Sequence, residues 1–128
     1  MPTANYESID LSRFDVVVVP FPFTDKAAVK RRPALVISNA SAFNRRAGHS
    51  VMAMITSASN ASWPLDAPLT NLASAGLPSP SVVRMKLFTL DHRFVIRKSG
   101  RLAARDATLV EAALATLLLP KHAHVGKS

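Results

Sequence analysis

Two short runs of β-branched and apolar residues near the start of the chain, joined by a polar loop, constrain the fold more than any other feature. They are Asp15 to Val19 and Ala34 to Ser38, and such runs predict a pair of strands. The loop closes on three cations, Lys30 to Arg32, and Pro33 follows them. Because the residue before a proline is pushed out of the helical region, we expect Arg32 to be extended. Its planar guanidinium can then meet a phosphate in a fixed geometry.

Further apolar or alternating runs predict more strands. They cover His49 to Thr56, Ser81 to Leu90, Phe94 to Lys98, and a weaker stretch around Leu65 to Leu69. We expect Ser99 and Gly100 to end the third of these. Residues 41–48 have the composition of a loop, and most of residues 57–80 have that of a connector.

The run from Ser81 to Leu90 is the clearest alternating strand. Alternation places Arg84, Lys86 and Phe88 on one of its faces. Such a face can follow an RNA backbone and stack a base. The same pattern is also typical of a solvated basic surface with Phe88 in the core, and the sequence does not decide between the two.

The end of the chain predicts a helix that packs onto these strands. Apolar residues recur at helical spacing from Leu109 to Leu118. Asp106 suits the positive end of the helix dipole, and Pro120 stops the helix. We therefore expect one mainly β domain over residues 1–128, a small, strongly curved β-barrel with an appended helix, with a leader arm at 1–12 and a tail at 120–128.

The charge balance bears on the partners of the protein. The chain has 16 Lys and Arg against 8 Asp and Glu, a net charge of +8, which favours an anionic partner such as RNA or an acidic protein segment. It has no cysteine, which excludes disulfides and thiolate metal sites. Because no apolar run approaches the roughly 18 residues of a membrane span, we expect a cytoplasmic protein that does not enter a membrane.

Four blocks of the chain resemble the PemK/MazF family of toxins from bacterial type II toxin–antitoxin pairs. In order they are VVVVPFPFTD, KRRPALVISN, MITS and PSVVRMKLFTLD, and the resemblance covers Phe14 to Leu118. It implies an SH3-like barrel with a C-terminal helix that acts as a homodimer. It also implies a sequence-selective endoribonuclease that cuts single-stranded mRNA without a metal or other cofactor, halts growth, and is inhibited by a cognate acidic antitoxin.

The resemblance also implies roles for single residues. Arg32 and Thr56 occupy the positions of the family's cleavage centre. Asn39 stands at an RNA-contact position, and Lys86 stands where some relatives carry glutamine. The complete set predicted to bind RNA is Arg31, Asn39, Arg84, Lys86 and Phe88.

Two positions depart from the family pattern. Phe14 stands where a glycine often precedes the first strand, and Ala103 stands where a serine would cap the helix, with Asp106 three residues on. Neither position belongs to the expected cleavage centre, so both departures bear on folding.

RNA can be cut without metal when its own 2′-hydroxyl attacks the adjacent phosphorus, which leaves a cyclic phosphate and a 5′-hydroxyl. Arg32 suits this reaction because its donors are always charged and can stabilise the charge that grows on the phosphate oxygens. Thr56 would add a neutral donor. Since an arginine with a pKa above about 12 is a poor base, the group that accepts the 2′-proton stays open.

Other interpretations assign the cleavage to other residues or propose a function without catalysis. His49 and His92 have a suitable pKa for acid–base cleavage, but no evident carboxylate orients them, so we rank them below Arg32 and Thr56. Trp63, next to Pro64, is interpreted as a packing or interface residue. The alternatives to a nuclease are an inhibitor that binds a protein target, like the gyrase poisons that share this fold, and a nucleic-acid binding module without catalysis.

Overall fold

The apolar runs form a six-stranded antiparallel sheet. The computed structural model describes residues 9–21 and 30–120. The strands are β1 (Asp15–Phe21), β2 (Lys30–Val36), β3 (His49–Ser57), β4 (Ala67–Pro68), β5 (Ser81–Asp91) and β6 (Arg97–Arg101). Their order across the sheet is β4-β5-β3-β2-β1-β6.

Helical segments lie between and after the strands. A π-helical turn, Ala40–Asn44, continues into the short helix α1 (Arg45–Ala47), and α2 (Leu72–Ala75), a 3-10 turn (His92–Phe94) and α3 (Ala104–Leu118) follow. The predicted loop at residues 41–48 is therefore helical, because the side chain of Asn39 caps it by accepting from the N–H of Ala42. In the described part of the chain, no helix combines the length and apolar character that a membrane crossing requires.

The sheet curls until its two edges approach each other. Helix α2 follows the edge strand β4 and contacts β6 at the opposite edge. Gly76, at the end of α2, has a φ of +72°, and a Cβ on it would lie 2.1 Å from the backbone oxygen of Ser99 in β6. Only glycine satisfies both conditions. The predicted class, a mainly β, SH3-like barrel with a C-terminal helix, is confirmed.

Buried side chains form one cluster on each face of the sheet. The first includes Val16, Leu35, Ile55 and Val83 and is covered by Val110 and Leu114 of α3. The second lies on the other face and consists of Leu11, Val17, Val19, Ala34, Val36, Met52, Leu90 and Val95. Of the predicted leader arm, the structure describes residues 9–12, and Leu11 is only 1% exposed. These residues pack onto the sheet. Of the predicted tail, only Pro120 is described.

Several boundaries differ from the predictions. β2 begins at Lys30, so the three cations lie inside the strand and pair with β1, with Arg32 opposite Val19. β6 contains Ser99 and Gly100 instead of ending before them, because Gly100 and Arg101 continue the pairing with β1. Helix α3 begins at Ala104. Its buried stripe is narrower than predicted, since Leu109, Leu117 and Leu118 are exposed.

The two departures from the family pattern are visible in the backbone. Phe14 has a φ of +75°, the left-handed region that favours glycine. Its N–H donates to Val36 and its carbonyl accepts from Leu102, and these bonds hold the strained residue in place. Ala103 precedes α3 without a side-chain cap. Asp106 instead accepts from the N–H and hydroxyl of Thr70 and the N–H of Asn71.

Candidate active site

The candidate site lies where β2 and β3 separate. Their ladder runs from Val36 opposite Met52 to Ala34 opposite Met54. It ends there, beside Pro33, which has no N–H to donate. Because side chains on a strand repeat every two residues, extending the same register by two residues places Arg32 across from Thr56 on the same face.

A pocket of about 190 Å³ occupies this position. Its lining residues are Phe21, Arg32, Met54, Ile55, Thr56, Trp63, Arg84 and Lys86. The structure therefore brings together four of the residues that the sequence analysis singled out, Arg32, Thr56, Arg84 and Lys86. They come from β2, β3 and β5, three neighbouring strands of one sheet.

Arg32 has a charge without a partner in the described part of the chain. Its Nε is buried and makes no hydrogen bond there, and none of the ion pairs found among the described residues involves Arg32. A buried guanidinium nitrogen without an acceptor is costly. An anion that enters the pocket and reaches this nitrogen would remove that cost.

Asn60, in the loop after β3, orients the hydroxyl of Thr56 as a hydrogen-bond donor. The side-chain amide of Asn60 donates to Thr56 Oγ1 over 2.7 Å. Because the oxygen already accepts this bond, its own hydrogen is available for an acceptor in the pocket. Asn60 thus orients the hydroxyl of Thr56 towards donation.

Lys86 lines the pocket and lies in β5 at an irregularity in the pairing with β3. Where β3 advances by one residue, from Ala53 to Met54, its partners in β5 change from Leu87 to Arg84. The two additional residues preserve the alternation of faces, so Lys86 and Arg84 share a face as predicted. The ammonium of Lys86 lies 5.5 Å from the ring centroid of Phe21.

Arg84 also lines the pocket, and its Nε and Nη2 are already in use as donors. Its Nε and Nη2 donate to the two carboxylate oxygens of Asp66 over 3.1 and 3.0 Å. Nη2 also donates to the carbonyl of Ala61 over 2.7 Å, and the guanidinium lies 5.0 Å from the ring centroid of Trp63. The hydrogen bond from Arg84 lowers the pKa of Asp66, and Asp66 in turn raises the pKa of Arg84.

Three of the predicted RNA-binding residues lie outside this pocket. Asn39 is beyond the other end of β2, about 20 Å along the strand direction, and caps the turn Ala40–Asn44. Phe88 is half-buried against the second core cluster. Arg31 points to the opposite face, into a cleft of about 240 Å³ that Arg97 also lines.

The two histidines lie together at the other end of β3. They line a pocket of about 700 Å³. His92 is buried and shares a 2.7 Å hydrogen bond with Ser50, and burial lowers its pKa. His49 lies 3.9 Å from Asp91, whose pKa is lowered to about 2, chiefly by hydrogen bonds from Arg93. The described residues contain no group of three or more His, Asp or Glu placed to hold a metal.

Phe21 and Asn60 contribute to the pocket although neither was predicted to, and Trp63 lies at the pocket as well. Phe21 continues the alternation of Val17 and Val19, and this period-two pattern could have extended the strand to include it. Asn60 carries no such signal, because its role depends on the path of the loop after β3. Trp63, expected in packing or an interface, is 44% exposed at the pocket.

Comparison with known proteins identifies relatives of this fold. A family model described as PemK-like, MazF-like toxin of type II toxin–antitoxin systems matches residues 12–118. A search of curated proteins found no match. Among solved structures, MazE–MazF from Deinococcus radiodurans is similar with a TM-score of 0.68 and 27% identity, covering 86% of this chain and 97% of that chain.

Two mycobacterial structures share the fold at lower identity. One, an endoribonuclease in complex with its cognate antitoxin, has a TM-score of 0.66 and 20% identity over 87% of this chain and 96% of that one. The other, Mycobacterium tuberculosis toxin MazF-mt6, has a TM-score of 0.63 and 21% identity over 80% and 93%. Together with the match of the family model over most of the chain, the curled sheet and its C-terminal helix show that this chain belongs to the PemK-like, MazF-like family of type II toxins.

Proposed function

We propose that this protein is an endoribonuclease toxin that cuts single-stranded RNA in the cytoplasm by 2′-hydroxyl attack, without a metal. One observation carries the proposal: a buried Arg32 nitrogen without an acceptor among the described residues, in the same pocket as Thr56 and Lys86. The family supports it, since a mycobacterial relative is an endoribonuclease.

Arg32 supplies the main electrostatic stabilisation in this proposal. As the 2′-oxygen attacks, negative charge grows on the non-bridging oxygens of the phosphate. Donors that are fixed before the reaction and aimed at this charge lower the barrier most. Arg32 meets that requirement because its backbone is held in β2 by pairing with Val19 and a guanidinium presents its donors in a rigid, planar fork.

Thr56 and Lys86 complete the phosphate site. The hydroxyl of Thr56, oriented by Asn60, donates to one phosphate oxygen, and the ammonium of Lys86 adds charge at the pocket. The carboxylate of Asp66 is a weak base, because its hydrogen bond from Arg84 lowers its pKa. In this proposal the residues of the pocket stabilise charge, while solvent water takes up the proton that the 2′-hydroxyl loses and supplies the proton that the leaving 5′-oxygen gains.

We further propose an acidic antitoxin as the regulatory partner. The net charge of +8 attracts an acidic segment, and such a segment can fold as it binds. MazE–MazF from D. radiodurans and the mycobacterial complex with its cognate antitoxin are structural relatives. Occupation of the pocket by carboxylates would neutralise the same cations that bind the phosphate.

A homodimer is the proposed assembly. The described surface exposes large apolar side chains, among them Phe94 at 57%, Leu118 at 65% and Leu119 at 54%. Association of two copies would remove part of this apolar area from water. Light scattering coupled to size exclusion should give twice the chain mass, and a monomer at micromolar concentration would contradict the proposal.

Cleavage in the presence of excess chelator tests the central proposal. Purified protein is incubated with a mixed single-stranded RNA, and the new ends are mapped. We expect cyclic phosphate and 5′-hydroxyl ends at selected sequences, and their loss in Arg32→Ala. Arg46→Ala, which removes an exposed charge outside the pocket, is the matched control and should retain cleavage.

The other outcomes assign other functions. Tight RNA binding without new ends would indicate a non-catalytic binding module. Absence of both binding and cleavage, with growth arrest in cells, would indicate an inhibitor of a protein target. Cleavage that depends on added metal would contradict the proposed mechanism.

A further inference from the structure

We propose that Trp63 is the platform on which an RNA base stacks next to the scissile phosphate, and that the Arg84–Asp66 pair holds it in position. This inference rests on the proposed function and adds to it a base-binding residue. Trp63 lines the same pocket as Arg32, Thr56 and Lys86. An aromatic ring beside phosphate-binding cations is the combination that binds single-stranded nucleic acid.

Trp63 begins a tight turn that fixes its backbone. The carboxylate of Asp66 accepts from the Trp63 N–H over 2.9 Å, and the Asp66 N–H donates to the Trp63 carbonyl over 3.3 Å. Pro64 occupies the second position of this turn. Leu65 occupies the third with a φ of +68°, a place that usually takes glycine. Strained residues of this kind persist where surrounding contacts enforce them, often at functional sites.

The Arg84–Asp66 pair supports the indole ring of Trp63 on one of its faces. Both side chains are only 11% exposed. The guanidinium joins Asp66, the Ala61 carbonyl and one face of the indole, so it ties β5 to the loop at three points. Arg84 is consequently a positioning residue in this proposal.

The remaining surface of Trp63 is accessible to a ligand. Arg84 lies over one face of the ring, and 44% of the residue is exposed, so in this proposal a base binds on the part of the ring that Arg84 does not cover. A base stacked there would complete a guanidinium–indole–base arrangement, with its phosphate towards Arg32 and Lys86. Stacking accepts any base, so Trp63 contributes affinity for a single strand more than sequence selectivity.

The chain contains a single tryptophan, so its fluorescence reports on this residue alone. The probe is a short single-stranded RNA that contains the mapped cleavage sequence with a 2′-deoxy sugar at the attacking position. If the protein leaves RNA intact, the unmodified RNA pool is used instead, which separates failure of this inference from failure of the nuclease proposal. We expect the RNA to quench the fluorescence of Trp63 in a saturable manner. An abasic nucleotide beside the scissile phosphate should abolish this quenching.

Variants separate stacking from structural effects. Trp63→Leu should weaken RNA binding about tenfold, as loss of one stacked base does, with kcat within about threefold of the parent. Trp63→Phe should retain most of the affinity. Phe43→Leu, which removes an exposed aromatic outside the pocket, is the matched control. Asp66→Asn should raise KM and reduce the quenching while kcat is kept, which a merely structural role in the loop would not produce.

Three results would overturn the inference. They are an unchanged fluorescence on saturation with RNA, a full affinity for RNA in Trp63→Leu, and quenching by an acidic peptide but not by RNA. The last would make Trp63 an antitoxin contact, in line with the interface role expected from the sequence.

Discussion

The two ends of β3 carry pockets that differ in size and in chemistry. The pocket at the His49 end has a volume of about 700 Å³, and the pocket at the Thr56 end about 190 Å³. They lie about 20 Å apart along the strand. By size alone the first would be the candidate active site, and it also contains the two histidines that suit acid–base chemistry.

The charges at the His49 end are already paired. Asp10 accepts from Arg45 over 2.9 Å, and Asp91 accepts from Arg93 over 2.7 Å. His92 is buried against Ser50. At the Thr56 end, by contrast, the described residues give Arg32 no ion pair and no acceptor for its buried Nε, and give Lys86 only the ring of Phe21. The comparison favours the Thr56 end as the candidate site, because its cations are available to an anion although its pocket is the smaller of the two.

Substituting one residue in each pocket should give the largest difference in cleavage rate. Arg32→Ala should lower the cleavage rate by about 100- to 1,000-fold, because a preorganised charge at the transition state is lost. His49→Gln, at the larger pocket, should change the rate by less than about threefold. Initial rates on one RNA measure both, and circular dichroism checks that each variant is folded. If His49→Gln lowered the rate more than Arg32→Ala, the pocket at the His49 end would be the active site instead.

Removal of the Thr56 hydroxyl should have the next largest effect. Thr56→Val keeps the shape of the side chain and should lower kcat by about tenfold to a hundredfold, the range for a hydrogen bond to a charged group. Asn60→Ala, which removes only the bond that orients the hydroxyl, should have a smaller effect in the same direction. Single-turnover rates distinguish the two. A rate for Thr56→Val equal to that of the parent would exclude Thr56 from the chemistry.

Lys86 should affect binding more than chemistry. Lys86→Gln should raise KM by at most about fivefold, as exposed ion pairs contribute little. It should also reduce the slope of log affinity against log salt by about 0.7, since one fewer counterion is released from a single strand. RNA binding measured at several salt concentrations gives this slope. An unchanged slope would place the RNA backbone away from Lys86.

His92 should affect stability and not cleavage. Burial, and then the nearby charge of His49, lower its pKa below the ordinary value of 6.5, so the folded state binds this proton less readily than the unfolded state. The stability that the neutral ring contributes is present above that value and is lost as the pH falls through it towards the lower folded pKa. The unfolding temperature should therefore drop between about pH 7.5 and pH 5.5.

His92→Gln keeps a partner for Ser50 but does not titrate, so its unfolding temperature should depend less on pH over the same range. Its cleavage rate should stay close to that of the parent. Thermal unfolding followed by circular dichroism at the two pH values measures the difference. An equal pH dependence in both proteins would show that His92 does not control acid stability.

The sequence was sufficient to predict the secondary-structure elements that produce a periodic pattern of residues along the chain. Alternation in Ser81–Asp91 predicted both the strand and the shared face of Arg84 and Lys86, and this prediction survives the irregularity in β5 because two residues are inserted. Helix α2 and the helical segment after Asn39 were missed, because each is short and depends on a capping side chain and a glycine at its end. Such features leave no periodic pattern.

The candidate site was predictable only in part, for a related reason. Arg32 and Thr56 come from neighbouring strands, so the resemblance to the family and the register of the sheet bring them together. The Arg84–Asp66 pair joins residues 18 positions apart, and neither residue signals the other in the sequence. The sequence predicts that Arg84 binds RNA, but it does not indicate that the Nε and Nη2 of Arg84 donate to Asp66 and Ala61.

The most direct test is a crystal structure of the protein with a single-stranded RNA that carries a 2′-deoxy sugar at the cleavage position. We expect the scissile phosphate in the pocket at the Thr56 end, with an oxygen about 3 Å from the Arg32 guanidinium and another accepting from Thr56. A phosphate bound instead at the His49 end, or an Arg32 turned away from the RNA to pair with a carboxylate, would contradict the assignment.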